Sequence, residues 1–371
     1  MLCGISIGPA ANAMTARLSR CFVSAAVMVV VAPAVLVTQA TTGSRVVVND
    51  SHFHLTNYIQ RGPDVHSILA LMGDSVGRVA LFGIPLQQEW LDAVTGTHPP
   101  TYYLHSDAPL YYYSFTDAYI AMQYRSLTPA QQARFDPMIT GFDPRDKYAA
   151  DHIRRVLHTF PGVFEGIGEF TIHKEFVSDK VRPGPASLLD PALDSVLALA
   201  GDIGMVVILH NDIDVPFASD TAKPAYLDQM KALLARHRNT TIIWAHTGVG
   251  RVVRPVKNHA AVIESLLADP AFSNLYFDIS WDEVAKYVVA SPQSVHVVAT
   301  LLERFPDRFL FGSDVVAPAN AAAWFTTYNL YAPLWAALSP ETSAKVRVRN
   351  FERLFDAARR NVRAWEAAHP K

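Results

Sequence analysis

The stretch VVVNDSHFHL, residues 46–55, ends an apolar run on two histidines one residue apart. Successive side chains of a strand point to opposite faces, so His52 and His54 share a face. Two imidazoles held side by side are costly if both are protonated or unsatisfied. A divalent cation removes the conflict, because neutral imidazole is a good ligand for zinc, iron and nickel. The arrangement recurs along the chain: Glu169 follows FEGIG, His210 follows MVVIL, His246 follows TTIIWA and Asp314 follows RFLFGS. A single histidine at a strand end is more often a hydrogen-bonded core residue than a ligand. Six such side chains, on five apolar runs, point together to a metal site.

The elements that must position them follow from the hydrophobic rhythm. Apolar runs at 46–52, 78–84, 137–142, 164–170, 205–210, 240–246, 274–280 and 308–313 read as strands. Amphipathic stretches at 186–200, 225–237, 260–268 and 294–304 read as helices between them. Near-continuous apolar strands alternating with helices indicate a parallel sheet covered by helices. Eight such units predict an α/β fold, a (β/α)8 TIM barrel. A doubly wound open sheet is the rival; it would want a glycine-rich phosphate loop after the first strand, and none follows Val48. In a barrel the ends of the strands converge on the C-terminal mouth, which brings the six residues together.

Residues 86–134 are too long for an ordinary loop and form a Tyr-rich insertion after strand 2, expected over the mouth or packed against the barrel or a second copy. Within it, Thr128 reads as an N-cap with Pro129 at the first helical position. Other polar residues are candidates of lesser weight. Asp278 has the parity of Ser280 and could hold a ligand histidine or satisfy core backbone groups. Arg61, Arg251 and Asp212 stand in loops where they could contact substrate, the arginines through a carboxylate. Lys174 lies five residues past Glu169, too far along the loop to be expected as a metal-bridging group.

The bulk composition narrows the function. The 371 residues carry a net charge of −2 and are 50% hydrophobic. That suits one large core and gives no basic face, so nucleic acid is not an expected partner and a small-molecule substrate is. Arg17 and Arg20, the apolar run Phe22–Val37 and the small residues around Ala40 form the pattern of a secretory signal peptide over 1–40, with Met14 as an alternative start. The run of 16 residues is short for a membrane span, though an uncleaved anchor is the rival reading. Export to the periplasm or medium is therefore expected, with residues 41–371 as one domain, no other membrane association, and oligomeric state open. The only cysteines, Cys3 and Cys21, lie in or before the leader, so any metal must be held by His, Asp and Glu.

HxH on the first strand, an acidic residue on the fourth, His on the fifth and sixth and Asp on the eighth resembles the amidohydrolase superfamily. The phrases DSHFHL, AHTGVG, FPDRFLFGSD and the closing VRNFERLF resemble its amidohydrolase-related branch, which includes metal-dependent hydrolases and aminocarboxymuconate-semialdehyde-type decarboxylases. The resemblance covers about residues 46–356. It implies His52, His54, His210 and Asp314 as metal ligands and Glu169 as a bridge. It implies His246 as a second-metal ligand or a group polarising the substrate. The expected cofactor is one or two divalent ions, zinc first, with manganese or iron as alternatives. The expected activity is hydrolysis of an ester, lactone or amide by metal-activated water, with Asp314 as general base. Nonoxidative decarboxylation is the alternative, and a non-catalytic binding protein the third.

Overall fold

Apolar runs pair side by side, each with its successor in the chain. The computed structural model describes residues 47–57, 62–84, 115–174, 186–218 and 223–370. All of these fall in the unit Ser44–Lys371. Its strands are β1 Val48–His54, β2 Val76–Phe82, β3 Phe135–Ile139, β4 Gly166–Thr171, β5 Val206–His210, β6 Thr241–Trp244, β7 Leu275–Asp278, β8 Phe309–Leu310 and β9 Val315–Val316. They form one parallel sheet in the order β8-β7-β6-β5-β4-β3-β2-β1-β9.

β8 and β9 are two pieces of a single eighth strand. Phe309 pairs with Phe277 of β7, while Val315 pairs with Phe53 of β1. Between the pieces, Ser51 N donates to Phe311 O at 3.0 Å and Asp314 N donates to His52 O at 2.8 Å. The sheet therefore closes on itself, and the expected (β/α)8 barrel is present. The break between β8 and β9 carries Ser313 and Asp314, so the interruption in pairing is where a site residue is turned inward.

The helices stand within a few residues of their expected positions, at Pro191–Ile203, Leu227–Arg236, His259–Ala268 and Pro292–Arg304. Local chemistry explains their starts. Asp190 and Ser291 accept hydrogen bonds from the first-turn amides of Ala192 and Ser294, and a proline follows each cap. Gly204, at φ 79°, ends the first of these helices in the left-handed region that glycine adopts freely.

Outward-facing strand residues pack against the helices in one large core. Inward-facing residues form a second, smaller cluster: Ala80, Phe82, Met138, Val206, Ile208, Ile243 and Leu310 meet Phe351, Leu354 and Phe355. Those last three come from the terminal helix Asn350–Ala368, which thus plugs the end of the barrel away from the mouth. Buried ion pairs fasten the plug: Arg359 reaches Glu165 at 2.6 Å and Asp136 at 3.0 Å, and both carboxylates are fully buried.

Most of the Tyr-rich insertion expected over 86–134 lies outside the described residues, as do the leader expected over 1–40 and Arg61. The described end of the insertion supplies a helix, Thr116–Arg125, on the connection from β2 to β3. Its Tyr124 is buried in the core and its Tyr119 donates to Gly62 O at 3.4 Å. Thr128 caps the next turn, Pro129–Gln132, with a reciprocal bond from Gln131. Among the described residues no helix is long and apolar enough to cross a membrane.

Candidate metal centre

His52 and His54 sit near the end of β1, both buried, with ring centroids 5.3 Å apart. The alternation of the strand puts them on the barrel interior, as their spacing predicts. Each has one ring nitrogen tied to the scaffold. His52 Nδ1 lies 3.0 Å from Asp278 Oδ2, and His54 Nδ1 lies 2.8 Å from the Gly83 carbonyl. A carbonyl can only accept, so His54 Nδ1 donates to it, and Nε2 is the nitrogen left to face the other site residues. His246 is held the same way, with Nδ1 2.8 Å from Ser280 Oγ.

The free edges converge. His52 Nε2 lies 3.7 Å from Glu169 Oε1 and 3.4 Å from Asp314 Oδ1. His54 Nε2 lies 3.0 Å from Asp314 Oδ1 and 3.5 Å from Glu169 Oε2. His246 Nε2 lies 3.5 Å from Glu169 Oε1. Two triads result, His52–Glu169–His246 and His52–His54–Asp314, with the donor atoms of each within 4.8 Å of one another. Both share His52, and Glu169 reaches across them with its two oxygens. His210 adjoins this group through Glu169, its Nδ1 2.5 Å from Oε1, and stands outside both triads.

The donor set fits a divalent cation. His52 Nε2, His246 Nε2 and Glu169 Oε2 are shielded from solvent and have no hydrogen-bond partner in the protein. A buried polar atom without a partner costs about 1–3 kcal/mol. Three within one cluster would be a heavy burden on a stable fold, and a cation removes it by accepting the lone pairs.

Electrostatics agree with that reading. Burial works against charge on Glu169, yet Lys174, His210 and His52 hold its carboxyl well below the usual range. Burial likewise opposes charge on Asp314, and His52, His54 and His246 hold it low. Burial lowers the pKa of His246, which favours its neutral ligand form. His52 goes the other way: burial disfavours its proton, but Asp278, Asp314 and Glu169 raise it well above the ordinary value. Three carboxylates focused on one imidazole mark a place where positive charge is wanted.

The backbone is shaped to serve the cluster. His246, Thr247 and Asp314 adopt φ of 56°, 54° and 52°, a region L-residues rarely occupy. The turn is held in place because Asp278 Oδ1 accepts from His246 N at 2.8 Å and from Ser280 N at 3.2 Å. Asp278 therefore fills both roles open to it: it orients His52 and it satisfies core backbone amides.

The lesser candidates separate. Asp212 is buried, with Oδ1 3.4 Å from His210 Nε2, so it stands behind a site histidine. Arg251 is exposed at the rim, its guanidinium 5.6 Å from the Trp281 ring and 3.9 Å from Glu283. Lys174, expected to be remote, folds back so that Nζ lies 3.8 Å from Glu169 Oε1 and 5.8 Å from the centre of the Trp281 ring. Spacing along a loop does not report where its end returns.

Two residues escaped sequence reasoning altogether. Trp281 packs 5.0 Å from His246 and 6.5 Å from His210, forming a wall of the mouth. Asp50 lies beneath the cluster and accepts from His52 N at 3.0 Å, Ser313 N at 2.8 Å and Trp324 Nε1 at 2.8 Å. It shares the parity of His52 and His54, the one signal that could have raised it.

A closed (β/α)8 barrel with a buried His/carboxylate cluster at its C-terminal mouth defines a class of enzyme built to work with divalent metal. The chain belongs to the amidohydrolase family, whose model matches residues 50–357. Solved structures are similar to the chain at low identity. A proposed 2-pyrone-4,6-dicarboxylic acid hydrolase of Pseudomonas putida is 12% identical, with 84% of this chain and 98% of that chain covered and a TM-score of 0.50. An amidohydrolase of Burkholderia multivorans with bound zinc is 13% identical, covering 84% and 99%, at a TM-score of 0.48. A dihydroorotase of Campylobacter jejuni is 14% identical, covering 83% of each chain, at 0.47. No protein with a curated description matches the sequence.

Proposed function

We propose that the protein is an exported hydrolase of small-molecule esters, lactones or amides that works with divalent metal held by His52, His54, His246, Glu169 and Asp314, with His210 completing the set. The observation that carries this reading is Glu169, whose two oxygens face His52 and His246 on one side and His54 on the other. When bound, divalent metal at such a site polarises a carbonyl and brings the pKa of water toward 7.

The chain's own residues supply the rest. Asp314 is the proton acceptor: it is kept ionised by three histidines, lies at the mouth, and its Oδ1 is 3.0 Å from His54 Nε2. Asp278 and Ser280 fix the orientation of His52 and His246 before substrate arrives. Trp281 excludes water from one side of the cluster, while Lys174 and Arg251 beside that ring offer positive charge to an acidic substrate group.

The test is a panel of esters, lactones, amides and carboxylic acids presented to zinc- and manganese-loaded protein, with products read by mass spectrometry and released CO2 measured. Hydrolysis products without CO2 are expected. CO2 release from a carboxylic acid, with no hydrolysis across the panel, would replace this reading with a nonoxidative decarboxylase.

A further inference from the structure

One site histidine is turned the opposite way from the others. His52, His54 and His246 give Nδ1 to the scaffold, to Asp278, Gly83 and Ser280. Each points Nε2 at a carboxylate of the cluster. In His210 it is Nδ1 that meets the cluster, 2.5 Å from Glu169 Oε1. Its Nε2 is directed away, to the loop after β5, and lies 3.4 Å from Asp212 Oδ1. A cation shared with Glu169 is therefore within reach of Nδ1 alone. The neutral ring offers a lone pair on Nδ1 only when its proton is on Nε2. Which nitrogen of an imidazole takes metal is set by the hydrogen bond that the other one makes.

The surroundings hold Asp212 in the place where it can make that bond. His210 and Asp212 are both 1% exposed, and a buried carboxylate is stable only beside groups that answer its charge. Asp212 N donates to His173 O at 2.8 Å, which ties the loop to the one after β4. Ile213 N donates to Gly248 O at 2.7 Å, which ties it to the turn after β6. The carboxylate thus sits on a stretch of chain fastened on both sides. Gly250 closes over it: a Cβ added there would lie 2.7 Å from Asp212 Oδ1 and 3.2 Å from Cγ.

We propose that Asp212 is a positioning residue that accepts the Nε2 proton of His210, so that His210 offers Nδ1 to divalent metal while His52, His54 and His246 offer Nε2. Asp212 then does for His210 what Asp278 does for His52, from the opposite end of the ring. The inference rests on the proposed metal centre and names how its remaining histidine takes part.

The test uses the full chain with ¹⁵N-labelled histidine, loaded with ¹¹³Cd as a spin-active stand-in for zinc. Coupling between cadmium and a ring nitrogen reports the donor atom, and proton–nitrogen correlations report where the ring proton sits. The expected pattern is cadmium coupled to Nδ1 of His210, with the proton on Nε2, and cadmium coupled to Nε2 of His54. Asp212→Leu, which keeps the volume and removes the acceptor, should lower zinc affinity about 10- to 100-fold in a chelator competition. Asp212→Asn, which keeps an oxygen acceptor, should restore most of that loss. Gly250→Ala, which crowds the carboxylate without altering it, should weaken zinc binding in the same direction and decides the matter if Asp212→Leu does not fold. A merely structural Asp212 would lower the melting temperature in these variants and leave zinc affinity unmoved. Cadmium held by His210 Nε2, cadmium with no coupling to His210, or unchanged zinc affinity in folded Asp212→Leu would each overturn the inference and leave the metal centre standing. Wild-type protein that takes up neither cadmium nor zinc would overturn the metal centre itself, and this inference with it.

Discussion

Asp278→Asn isolates the part of the account that concerns orientation. Asp278 Oδ1 accepts from His246 N and Ser280 N, and Oδ2 faces His52 Nδ1 at 3.0 Å. An asparagine must keep its carbonyl oxygen on the two amides, which can only donate. Its NH2 then faces His52 Nδ1, two donors opposed, and the imidazole escapes by moving its proton to Nε2. That is the atom aimed at Glu169 and Asp314, so the ring no longer offers a lone pair to a cation. Loss of such a supporting partner costs about 10- to 100-fold in metal affinity, or about 1.4–2.8 kcal/mol. The assay is zinc titration against a chromophoric chelator, beside a thermal melt. The melt should stay cooperative, because shape and both backbone bonds are kept. Unchanged zinc affinity in a folded variant would refute the claim that Asp278 sets the tautomer of His52.

Asp314→Asn should abolish turnover while most bound metal remains, measured by metal content and rate on the same sample; a near-normal rate would remove Asp314 from the role of base. Gly312→Ala would place a methyl carbon 2.4 Å from His52 Cβ and 2.8 Å from its backbone nitrogen. The His52 backbone must move, so metal affinity and melting temperature should both fall. Asp117 is buried, accepts from Thr140 N at 2.8 Å and Gly141 N at 3.1 Å, and burial raises its carboxyl to about 7. Between roughly pH 4 and 7 the folded state then binds more proton than the unfolded chain, so this group makes stability fall as pH rises through that window, by up to about 1.4 kcal/mol per pH unit. The difference between wild-type and Asp117→Asn denaturant midpoints should grow in favour of the variant across that range and flatten above it. Arg359→Ala leaves Glu165 and Asp136 buried without this partner and should cost about 3 kcal/mol in urea unfolding.

The barrel was legible because its signals are local and repeated. Alternation placed His52 and His54 on one face and periodicity found the helices, while the cap-and-proline starts at Asp190–Pro191 and Ser291–Pro292 went unread. What escaped depends on chain segments that meet only after folding. The parity of Asp278 was readable, but its hold on His52, 226 residues away, was not. Lys174 returns to Glu169 through a loop whose path no pattern records. The eighth strand reads as one apolar run, yet its pairing breaks at Phe311–Asp314, where the chain bends to present a carboxylate.

Metal content is the most direct check. Purified protein, analysed by mass spectrometry for divalent metals, should hold between one and two ions per chain, and a His52→Gln/His54→Gln double variant should lose them while its melt remains cooperative. Hydrolytic turnover that persists in fully chelated wild-type protein, or equal metal content in the double variant, would contradict the assignment of the cluster.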